Sequence, residues 1–231
     1  MKIYVDINAP VNGDGTQEHP FKAIQAAADI AMPGDTVLVA PGTYRENVNP
    51  KHAGTADARI TYKSVKPLGA VISGAEKVDT WENTDGDVWQ VEIPNSIFGD
   101  YNPYTTRVLG DWFDARIIAH TGEVYLNDVA LYEVNSLDEV KKPVKNNKSW
   151  YPENTLYTWY TEQNKDQDTT IIYANFQGSN PNKENVEINV RENCFYPQAE
   201  GISYITLSGF GVTKAATQWA PPTAYQEGMI G

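Results

Sequence analysis

The 231-residue chain holds one cysteine, Cys194. No disulfide can form within it and no four-cysteine metal site can be built. Cys194 lies in "NCFYP" beside aromatic residues, the setting of a buried structural thiol rather than a nucleophile. The three histidines, His19, His52 and His120, stand far apart, and no spacing gathers them into a metal triad. Positive charge is scarce as well: 18 Lys and Arg stand against 30 Asp and Glu, a formal charge of −12. That balance argues against nucleic acid or an acidic membrane as partner, since neutralising phosphates takes clustered cations. No segment approaches the roughly 18 consecutive apolar residues of a membrane span. The opening "MKIYVDINAP" enters a strand-like alternation with no apolar signal core, the pattern expected of a cytoplasmic protein. There is no "GxxxxGK", "HExxH" or "GxSxG". The turn "NGDG", Asn12 to Gly15, could offer oxygens to calcium but lacks further acidic ligands at defined spacing, so no cofactor or metal is expected.

What the chain does have is short apolar runs cut by Gly, Pro, Asn and Asp, an all-β texture. "IYV" reads as a first strand. "HPFKAIQAAADIAMPG" reads as a helix from Pro20 to Met32, with Phe21, Ile24, Ala27, Ala28 and Ala31 on its apolar face and Pro33-Gly34 as its stop. "DTVLVA", "PGTYRENV", "RITYKS" and "AVISG" follow, joined by turns too variable for a hairpin series. They suit consecutive sides of a parallel β-helix, whose open end needs a cap against stray strand pairing; the helix is placed to supply it.

From about Trp81 to Val186 the texture changes to alternating strands such as "DVWQVEIP" and "TLYTWYTE", with a hairpin expected at Asn127-Asp128 in "YLNDVALYEV" and a helix start at "SLDEV". A β-sandwich-like insertion is the reading. "VEINVR" and "ISYITLSGFGVTKA" then look like the ladder resuming, with Ile202, Ile205, Leu207, Phe210 and Val212 as inward residues. The domain limits expected are 1–80, 81–186 and 187–231.

Carboxylates abound, yet no pair declares itself as the acid and nucleophile of a glycosidase. The six tryptophans and fourteen tyrosines say more, because flat exposed rings hold the apolar faces of sugars. Trp112 and Asp111 in "LGDWFD", and Trp219 in "ATQWAPPT", lie in irregular segments beside turn formers and are the candidate substrate contacts.

Taken together, "HPFKAIQAAADIAMPGDTVLVAPGTYRENVNPKHAG", "FGDYNPY", "LGDWF", "TTIIYANFQGSNPN", "VEINVRENCFYP" and "AATQWAPPT" resemble the β-xylosidases of glycoside hydrolase family 120. The resemblance implies a right-handed parallel β-helix and a retaining enzyme that releases xylose from xylo-oligosaccharides, using an aspartate nucleophile and a glutamate acid/base. It also implies a homo-oligomer in which Trp112 lines a neighbour's substrate pocket. The family's catalytic carboxylates follow the segment matching "AATQWAPPT", so no residue here inherits either role, and the chain alone is expected to be inactive. Other neutral β-linked sugars are compatible with the same features. Two alternatives stand beside this reading: a non-catalytic carbohydrate-binding or assembly module, and a pectate-lyase-like enzyme, which would want calcium and a basic groove.

Overall fold

A computed structural model describes residues 1–110, 114, 116–218 and 228–231. In chain order, the strands begin with β1 (Lys2–Val5), β2 (Thr36–Val39), β3 (Gly42–Tyr44), β4 (Ile60–Ser64) and β5 (Ala70–Ser73), with a short helix α1 (Ile24–Ala28) between β1 and β2. There follow β6 (Ala75–Lys77), β7 (Glu82–Asp85), β8 (Val88–Pro94), β9 (Val124–Leu126), β10 (Val129–Ala130) and β11 (Tyr132–Glu133). Helix α2 (Leu137–Lys141) then precedes β12 (Thr158–Asn164), β13 (Thr169–Asn175) and β14 (Val186–Asn189), and the last strands are β15 (Ile205–Ser208) and β16 (Gly211–Thr213). The fold is all-β with few helical turns. It divides into two compact units, one of Met1–Gly74 and Arg191–Thr217 with the last residues of the chain, the other essentially Ala75–Val190.

The first unit is built from parallel pairs. One sheet runs β1-β2-β4-β15 and another β16-β5-β3, every neighbour parallel. The register puts Ile3, Val37, Tyr62 and Leu207 at one level of successive strands, and Tyr44, Ile72 and Val212 at one level of the other sheet. A third row consists of single parallel bridges, Val48 to Phe195 and Phe195 to Ile230. Like residues stacked at the strand spacing fill one continuous apolar cluster, in which Tyr62 meets Phe195 edge to face at 5.0 Å. Edge strands β15 and β16 keep Ile205, Leu207 and Val212 only partly buried. Cys194 lies wholly inside, its thiol pushed up to about 11 by burial, as a structural thiol should be.

The expected Pro20–Met32 helix is shorter than its pattern, spanning Ile24–Ala28 alone. Phe21 is drawn into extended pairing with β1 instead: its N–H donates to the Tyr4 carbonyl and its own carbonyl accepts from Asp6. Helix α1 has no side-chain cap of its own at Ala23. Glu46 supplies one from a later turn, its two carboxylate oxygens accepting the N–H groups of Ile24 and Gln25 at 2.8 Å each. The apolar face is nevertheless as expected, with Ile24, Ala27, Ala28 and Ala31 all buried.

The second unit is mainly antiparallel. A five-stranded sheet runs β11-β12-β13-β8-β7 and a four-stranded sheet β10-β9-β14-β6. Residues of both share one apolar cluster, with Val91, Ile172 and Trp159 from the first sheet and Val124, Val186 and Ile188 from the second. Strand β14, "VEIN", corrects the expectation that the ladder resumes there: it pairs antiparallel with β6 and β9. All four of its residues are buried, including Glu187 and Asn189, so an apolar-looking strand flanking the insertion belongs to the insertion's own sheet. The ladder resumes at β15.

Candidate functional site

The hairpin in "YLNDVALYEV" sets up the most chemically loaded part of the described residues. Asn127 and Asp128 both have positive φ, 51° and 68°, the conformation a two-residue hairpin turn requires, and β9 turns back on β10 with Leu126 facing Val129. The chain then crosses to the other sheet, where β11 pairs in parallel with β12 and places Glu133 opposite Trp159. Glu123 precedes β9, and His120 lies a few residues before it. Two sheets and one tight turn therefore converge these side chains.

Glu133 holds His120 twice. One carboxylate oxygen accepts the His120 backbone N–H at 2.8 Å, and the other lies 2.5 Å from its ring Nδ1. Both side chains are mostly shielded from water. The ring is thereby fixed in direction. Glu123 accepts from the Trp159 indole N–H at 3.2 Å, and its own backbone N–H donates to Asn189 Oδ1 at 2.7 Å. Asn189, itself buried, donates to the Thr121 carbonyl and pins the segment from below. Tyr104 packs edge-on against Trp159 at 5.6 Å and donates its hydroxyl to the Glu123 carbonyl at 2.8 Å.

Burial pushes the Glu123 carboxyl up to about 8, more than the Trp159 and Val124 N–H groups pull it down, and the charge of Glu133 adds to the rise. Near neutral pH Glu123 is thus mainly a protonated acid that can donate a proton or a hydrogen bond. The four residues open on a cleft of about 530 Å³ that Tyr132, Tyr151 and Asn154 also line. Among the described residues, no group of three or more His, Cys, Asp or Glu side chains is placed to hold a metal ion.

The candidate contacts Asp111, Trp112 and Trp219 lie outside the described residues. Their flanking segments are tied together: Leu109 N–H donates to Gln218 Oε1 at 3.1 Å and Gln218 Nε2 donates to the Arg107 carbonyl at 2.7 Å. Sequence reasoning missed His120, Glu123, Glu133 and Trp159 as a group. The signal available was two glutamates set inside the apolar alternation of one hairpin segment, "GEVYLNDVALYEV".

Residues 78–188 match the glycoside hydrolase 120 insertion domain, and residues 8–52 match a family of unknown function, DUF1565. A structure described as the complex of XylC with xylose is 44% identical and superposes with a TM-score of 0.93, covering 100% of this chain and 38% of that one. A second structure, described as a glycoside hydrolase, is 14% identical at a TM-score of 0.52, covering 93% of this chain and 50% of that one, a likeness of fold. The uncharacterized protein YwoF of Bacillus subtilis (strain 168) is 38% identical over 72 residues, 31% of this chain and 15% of that protein. The chain thus spans half or less of the length of each protein it matches.

Proposed function

The chain belongs to glycoside hydrolase family 120, and from that premise we propose that it is the N-terminal portion of a retaining β-xylosidase that releases xylose from xylo-oligosaccharides. The observation that carries this reading is the likeness, along the whole chain, to a protein whose structure is a xylose complex. In this reading the parallel ladders of the first unit are the opening coils of a right-handed parallel β-helix. The protein is cytoplasmic and works as a homo-oligomer. The chain supplies scaffold and, through Trp112, Asp111 and Trp219, contacts to substrate, while the acid/base and nucleophile come from sequence beyond Gly231.

Retention needs two carboxyl groups about 5 Å apart, one forming a glycosyl-enzyme while the other protonates the leaving oxygen. The test is hydrolysis of an aryl β-xyloside by the longer protein and by the folded 231-residue chain, with the first-formed xylose anomer read by NMR. Release of β-xylose by the longer protein and none by the chain alone is expected. An α-anomer formed first would overturn retention. Release by the chain alone would put a carboxylate pair within it, and activity confined to other aryl glycosides would overturn the choice of sugar.

A further inference from the structure

The cleft over Trp159 and Glu123 is left without a role by that reading. Its volume, about 530 Å³, is in the range of sites for small organic ligands. Tyr151 is 67% exposed and Tyr132 40%, so two tyrosines of the cleft lining present surface to solvent. An exposed ring offers a flat apolar face with a polar rim, the surface against which the C–H face of a pyranose stacks. The floor is polar: Glu133, oriented by both His120 contacts, is a fixed acceptor, and Asn154 brings an amide that can donate and accept.

Three other ligand classes fit less well. An anion would meet two glutamates and, among the described lining residues, no Lys or Arg. A cation would find a single carboxylate beside a Glu123 that is mainly protonated at neutral pH, and among the described residues no group of three or more His, Cys, Asp or Glu side chains placed to hold a metal. An apolar molecule would strip water from Glu133 and Asn154 without replacing its hydrogen bonds. A ring bearing several hydroxyls both donates and accepts, and it has an apolar face for the tyrosines.

We propose that this cleft binds one sugar ring of a neutral oligosaccharide, stacked on Tyr151 and hydrogen-bonded to Glu133 and Asn154. The expectation that the sugar is xylose rests on the function proposed above; the site itself does not. Titration calorimetry of the 231-residue chain with xylotriose, cellotriose and maltotriose, repeated with Tyr151→Ala and Asn154→Ala, separates the two. Tyr151 is exposed enough for its truncation to leave the fold intact, and circular dichroism checks that it does. Xylotriose is expected to bind at millimolar concentration, and Tyr151→Ala to weaken it by about 10-fold or more. If another trisaccharide binds and loses affinity in both variants, the cleft is confirmed and the xylose reading fails. Xylotriose binding that both variants retain would overturn the cleft while leaving the xylose reading in place. No binding of any trisaccharide would overturn the cleft site.

Discussion

In the unit built on parallel strands, buried and half-buried polar side chains are tied to backbone: Glu46 to the N–H groups of Ile24 and Gln25, Tyr44 to the Ile7 N–H and the Ala40 carbonyl, Cys194 to the Thr213 carbonyl. In the unit built on antiparallel strands, the cleft side chains are tied to each other as well, His120 to Glu133 and Trp159 to Glu123, with Glu133 also accepting the His120 backbone N–H. A buried group bonded to backbone completes secondary structure that would otherwise leave orphan donors. Paired side chains beside a cleft instead form a small polar network whose members remain close to a ligand. The first arrangement makes scaffold, and the second makes a surface with chemistry.

The sharpest way to break that contrast is Trp159→Ala, which empties a site in the core of the second unit and removes the donor to Glu123. A loss of about 3–5 kcal/mol is expected. Amide exchange should show β12 and β13 opening while β2 and β4 keep their protection. Equal loss in both would mean that the two units unfold as one.

Next in size is the pH dependence of the same unit. Glu123 has its folded pKa raised from 4.5 to about 8, so it binds a proton more tightly folded than unfolded. Its contribution is full below about pH 4.5 and is lost as pH rises through about 8, on the order of 5 kcal/mol in all. Glu123→Gln should remove that slope from denaturant unfolding followed across the range. A wild-type protein with no slope to remove would show that water reaches Glu123 in the folded state.

The matching change in the first unit is Glu46→Ala, which uncaps α1 and should cost about 1–2 kcal/mol. Exchange at the Ile24 and Gln25 amides should rise, with little effect at β12. Unchanged exchange there would remove Glu46 from its capping role. The smallest effect expected is at α2, where Ser136 caps the Glu139 N–H and Glu139 reaches back to the Asn135 N–H and the Ser136 hydroxyl. Ser136→Ala should cost about 1 kcal/mol or less, seen as a small drop in the unfolding midpoint.

Much of the fold was legible because its signals are local. "TVLV" and "ITYKS" alternate as strands do, Asn127-Asp128 suits positive φ, and Ser136 stands three residues before Glu139. The length of α1 was not legible. Phe21 fits a helix pattern but is held by β1, and the cap comes from Glu46, more than twenty residues away. Strand β14 was misplaced for a similar reason: "VEINVR" shows β-propensity but not its partners, and both β6 and β9 are remote in sequence.

The sequence by itself determined that this chain is all-β, where most strands and turns fall, and, through its motifs, which glycoside hydrolase family it resembles; periodicity, turn chemistry and motif order are properties of neighbouring residues. Only the tertiary structure decided which sheet each strand joins, what caps α1, and that His120, Glu123, Glu133 and Trp159 meet. Pairing partners, burial and the rise of the Glu123 pKa depend on what folding brings close, and residues distant along the chain carry no local mark of it.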